Sequence, residues 1–168
     1  MESGNKNSNL YSSSKKNSNQ LLSYELANTL KRIIDIDSEV EKTKHELALK
    51  SDFNLFDAFR MFDKYNLGSL YKSDFEEGLN KIGVFGPRSA ISLFFKKYDK
   101  DSDGKLGFAE FSDAFYPIDK IYRDHLDKKR PNYDTRNPEE AFCYSTKLDF
   151  SDAFRRHLRN ETMIEDLR

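Results

Sequence analysis

The hydrophobic positions divide the chain into stretches with different rhythms. Residues 1–19 have almost none. The first twenty residues hold six Ser, five Asn and three Lys, a composition that cannot offset the entropy of ordering a backbone, so a disordered tail is expected there. From 20 to 50 the chain reads as one helix without Gly or Pro, in which Leu26, Ile33, Val40 and Leu47 recur every seven residues. The companion row Leu30, Asp37 and Lys44 loses its apolar character after one repeat. That disfavours a free-standing coiled coil and favours a helix laying one stripe on the following domain or on a partner. Ser51-Asp52 then offers an N-cap before a new rhythm.

Residues 51–118 are organised by an internal repeat of 36 residues. Phe59 matches Phe95, Asp63 matches Asp99, Gly68 matches Gly104, Leu70 matches Leu106, Asp74 matches Glu110 and Phe75 matches Phe111. Each copy has apolar residues at helical spacing on both sides of a glycine-centred loop, which predicts two helix–loop–helix units joined through Gly83, Gly86 and Pro87. Phe53 and Phe56 fall off the inward-facing positions of the first helix and need cover from elsewhere. Beyond Pro117 the chain becomes Tyr- and Pro-rich. A short helix near Ile118–Lys128 is expected there, then an irregular arm, then a last helix from about Thr146 with Phe150, Phe154 and Leu158 on one face.

The second loop, Asp99 to Glu110, carries the chemistry. Calcium takes 6–8 oxygens, and a twelve-residue loop must deliver them from alternating positions. Asp99, Asp101 and Asp103 supply carboxylates at positions 1, 3 and 5, and Lys105 supplies its backbone carbonyl at position 7. Gly104 permits the sharp turn, Gly107 leaves room for a water, and Glu110 is long enough to bind bidentately. In the first loop Tyr65 and Leu67 replace the acids, and Asp74 is one methylene shorter than Glu. That loop is expected to be a structural partner that binds no ion.

These residues resemble the EF-hand signature, and the paired copies look like an EF-hand domain of the calmodulin superfamily. The resemblance implies an all-α fold, a paired EF-hand domain with a short β-bridge between its loops, and the chain's own periodicity adds a long N-terminal helix before it and an extended C-terminal arm ending in a helix after it. The expected boundaries are 1–19 for the tail, 20–50 for the helix, 51–118 for the pair and 119–168 for the arm and final helix. The runs SDFNLFDAFRMFD, FFKKYDKDSDGKL and FSDAFYP are also similar to EF-hand proteins of ciliated protists. This second resemblance implies a cytoskeletal or ciliary component with tubulin or other ciliary proteins as partners, placed in the cytoplasm, on the cytoskeleton, at the cilium or axoneme.

Composition narrows the function classes. Basic residues number 28 against 29 acidic, a net charge of −1, which gives no footprint for nucleic acid. No run is long and apolar enough for membrane insertion. His45, His125 and His157 stand apart, each read as lying on or beside a solvated helix face. Cys143 has no neighbour that suggests activation, and no catalytic constellation appears, so no enzyme is expected. Only three Met occur, against 14 Phe, so the core is rigid where a versatile calcium sensor would be Met-rich. The reading is a calcium-binding structural or adaptor protein with protein partners, embedded in a cytoskeletal assembly. The alternative is a soluble calcium sensor or regulatory subunit that binds a target on taking up calcium.

Overall fold

A computed structural model of the chain describes residues 7–132, 137 and 140–166, with side chains from residue 19 onward. The residues divide at Asp35/Ile36 into two compact units. Helix α1 (Asn7–Leu49) contributes to both. It starts within the stretch expected to be a tail, because no Gly or Pro occurs between Asn5 and Leu67 to end a helix once begun. The part of that expected tail before Asn7 lies outside the described residues.

In the first unit the large apolar side chains Leu21, Leu22, Tyr24, Leu26, Leu30 and Ile34 are all exposed. In the second unit the same heptad row is buried, with Val40 at 3% exposure and Leu47 at 1%. The seven-residue stripe thus meets a core only over its last two members.

The second unit also holds α2 (Leu55–Arg60), β1 (Ser69–Leu70), α3 (Lys72–Lys81), α4 (Arg88–Tyr98), β2 (Leu106–Gly107), α5 (Phe108–Asp113), α6 (Lys120–Asp127) and α7 (Tyr144–Glu165). The two loops pair as an antiparallel bridge with Leu70 opposite Leu106, both fully buried. The expected all-α architecture with its short bridge is the observed one.

Capping differs from expectation. The N-cap of α2 is Asn54, whose Oδ1 accepts the Asp57 N–H at 2.8 Å. Asp52 works elsewhere: its carboxylate accepts the Cys143 N–H at 2.6 Å and the Thr146 hydroxyl at 2.7 Å, so it clasps the start of α7. Burial pushes this carboxyl up, but those hydrogen bonds outweigh it and hold Asp52 below the usual range.

The core is phenylalanine, and α7 runs through its middle. Phe154 is fully buried, with ring centroids 5.3 Å from Phe62, 5.5 Å from Phe75 and 4.8 Å from Phe115. Phe53 is covered by Phe142 and Phe150 at 5.4 and 5.5 Å, so the C-terminal arm supplies the cover it lacked. Phe56 stays 45% exposed and meets Phe108 edge-on. Packing around Phe62 also explains Gly78. A Cβ there would stand 2.2 Å from Cδ1 of the Phe62 ring, which other rings hem in. Overpacking costs typically ~1–3 kcal/mol, and alanine returns at most about 1 kcal/mol in helix propensity. The clash dominates at that distance, so Gly78→Ala should lower the urea midpoint of the full chain; an unchanged or higher midpoint would show that the ring can step aside.

Candidate metal centre

Both loops begin with the same local geometry. In the first, Asp63 accepts the N–H groups of Leu67 and Gly68, each at 2.8 Å. In the second, Asp99 accepts those of Asp103 and Gly104 at 3.1 and 3.0 Å. Short carboxylates that collect backbone N–H groups tighten the turn. Gly104 has φ +82°, and a Cβ there would meet nothing within 4 Å, so backbone conformation rather than space requires glycine.

The loops then diverge. Among the described residues, Asp99, Asp101 and Asp103 form a group in which one carboxylate oxygen from each lies within 4.8 Å of the others. Oxygens bound to one calcium at 2.3–2.6 Å can stand at most about 5 Å apart, so the spacing fits a single ion. Glu110 closes the loop from both sides: Oε1 accepts the Lys100 N–H at 2.8 Å and Oε2 the Gly107 N–H at 3.0 Å. The hard oxygen donors, their number and their spacing suit calcium, and the residues that could hold it are Asp99, Asp101, Asp103, the Lys105 carbonyl and Glu110. In the first loop Tyr65 and Leu67 stand exposed where carboxylates would be needed. Its terminal Asp74 reaches the Tyr71 N–H at 3.1 Å. Lys105 lies over the Tyr71 ring at 5.2 Å and ties the two loops together.

Residues 52–116 match the family of EF-hand domain pairs. This segment is a calcium-binding EF-hand pair. Calcium-dependent protein kinase 21 of Arabidopsis thaliana is 31% identical over 78 residues, covering 46% of this chain and 14% of the kinase. Calcium-dependent protein kinase 2 of Zea mays is 33% identical over 78 residues, covering 46% of this chain and 15% of the kinase. The chain therefore spans only a small part of these relatives. No solved structure matches. The EF-hand pair is a regulatory calcium-binding fold rather than a catalytic one, and no helix among the described residues is long and apolar enough to cross a membrane.

Two features beside the EF-hand pair escaped the sequence reading. His157 was expected near a solvated face, yet it is 3% exposed, because it lies three residues past Phe154 and shares its inward face. Its Nδ1 sits 3.4 Å from the hydroxyl of Tyr98, the residue before the calcium loop. Burial, with the charges of Lys44 and Lys97 adding to it, pushes the imidazole down to about 3. The unfolded chain titrates this group near 6.5 and binds a proton that the folded state refuses, so stability falls as pH drops below 6.5. Between pH 7 and 5 this one group should cost about 2 kcal/mol. His157→Phe should flatten that part of the stability profile; an equal slope in both proteins would assign it to other groups.

Cys143 is the second. It was read as unactivated, but it sits at the N-cap of α7, where the hydroxyls of Ser145 and Thr146 hydrogen-bond its sulfur, each at 3.3 Å, and draw the thiol below its ordinary value. No sequence motif signals this, since it depends on where α7 starts.

Proposed function

We propose that this is a structural or adaptor protein in which one calcium ion, held by Asp99, Asp101, Asp103, the Lys105 carbonyl and Glu110, stiffens an EF-hand pair whose apolar groove is filled from within. One observation carries the reading: Phe154 of α7 touches rings from both hands, Phe62 and Phe75 of the first and Phe94, Phe111 and Phe115 of the second. A sensor leaves that groove for a target; here the chain's own helix takes the target's place. Polar links fasten it, with Lys97 Nζ 2.5 Å from Glu161 and Arg155 donating to the Gly83 carbonyl at 3.0 Å. The same reading makes the protein a binder of other proteins rather than an enzyme. We also propose a cytoplasmic, cytoskeletal setting with tubulin or ciliary proteins as partners, on the resemblance of the runs SDFNLFDAFRMFD, FFKKYDKDSDGKL and FSDAFYP to EF-hand proteins of ciliated protists.

The rival reading, a calcium sensor that releases α7, is favoured by the Tyr98–His157 contact, which couples α7 to the residue that opens the calcium loop. An apolar dye separates the two. Added calcium should leave its fluorescence nearly unchanged if α7 stays seated, whereas a large rise would support the sensor. Microtubule co-sedimentation of the full chain tests the cytoskeletal setting, and a chain left wholly in the supernatant would count against tubulin.

A further inference from the structure

We propose that two copies of this chain pair antiparallel through residues 22–33 of α1. The surface is a stripe. Leu22, Leu26 and Leu30 are 62, 52 and 47% exposed, and Thr29 and Ile33 are half-buried beside them. Leu22, Leu26, Thr29 and Ile33 follow the 4-3-4 spacing of a helix seam. Thr29 suits the seam because its hydroxyl is already satisfied, donating to the Glu25 carbonyl at 2.9 Å, which leaves its methyl to pack. Within the first unit, the described side chains offer this stripe no core.

Charge identifies the occupant as a second copy. Glu25 and Arg32 are both exposed, flank the stripe on the same side, and have no ion pair among the described residues. In an antiparallel pair centred between Ala27 and Asn28, Leu22 faces the second copy's Ile33 and Leu26 faces its Thr29. Glu25 of each copy then meets Arg32 of the other, so the two-fold axis makes two ion pairs from one sequence. A parallel pair does worse. It sets Glu25 against Leu30 and turns Arg32 toward Asp37, whose Oδ1 already accepts from Asn160 Nδ2 at 2.6 Å.

Sedimentation of the full chain, followed up to its solubility limit, tests this directly. The expected result is a monomer–dimer equilibrium. Glu25→Arg turns both ion pairs into repulsions and should weaken the dimer about tenfold. Adding Arg32→Glu restores the pairing, a rescue that the parallel arrangement does not give. Leu26→Lys should yield a monomer with unchanged helix content by circular dichroism, because Leu26 is exposed in the single chain. A chain that is monomeric at every concentration, a dimer indifferent to Glu25→Arg or Leu26→Lys, or a double variant that stays weak would each overturn the proposal.

Discussion

Replacing Phe154 by alanine should lower the stability of the full chain by about 3–5 kcal/mol, the range for removing a buried aromatic ring. The upper half of that range is expected because of what surrounds the ring. Besides Phe62, Phe75 and Phe115, its centroid lies 4.9 Å from Phe150, 6.1 Å from Phe94 and 6.3 Å from Phe111. Those neighbours come from five helices or helix ends, and they cannot all collapse into one hole. Urea unfolding with calcium in excess measures the cost as a shift in midpoint at constant slope. A loss of under ~1 kcal/mol, typical of surface positions, would mean that α7 does not fill the groove in solution. The same variant should also bind the apolar dye that the parent chain excludes.

Glu110→Gln should weaken calcium binding on the order of a hundredfold, the upper scale at which removing even an outer-shell partner weakens a metal site. The substitution keeps the length of the side chain but removes its charge, and an amide offers one carbonyl oxygen where the carboxylate offers two. Its effect on folding is readable through linkage. At a calcium concentration one hundred times the dissociation constant, the ion stabilises the parent chain by about 2.7 kcal/mol; a hundredfold loss of affinity reduces that to about 0.4 kcal/mol. Thermal unfolding with and without calcium gives both values. A variant with the parent's full calcium-dependent gain would place the ion somewhere other than this loop.

The calcium loop was legible in the sequence because its constraints are local. Asp99, Asp101, Asp103, Gly104 and Glu110 each answer to a fixed place in one twelve-residue turn, and the 36-residue repeat located the pair. The bridge between Leu70 and Leu106 followed from the same alignment of copies. What covers the groove was not legible. The spacing of Phe150, Phe154 and Leu158 showed an apolar face, but periodicity does not say which surface that face meets. Phe53 signalled missing cover without saying where it comes from; the structure assigns Phe142 and Phe150 of the C-terminal segment. Asp52 was misjudged because its role comes from a contact across some ninety residues of sequence, and local rules describe caps only within a helix's own neighbourhood; Cys143 was misjudged because its surroundings depend on where α7 starts. His157 shows the same limit: three charged neighbours in Arg155, Arg156 and Arg159 suggested solvent, while one turn of helix geometry carried it to the inside.

The central claim, one ion per chain in the second loop with the first loop silent, is tested most directly by a calorimetric calcium titration of the 168-residue chain. The account predicts a single site with a stoichiometry of one, since Tyr65 and Leu67 deny the first loop its carboxylates. Two sites, or none at millimolar calcium, the weak end of the EF-hand range, would contradict it.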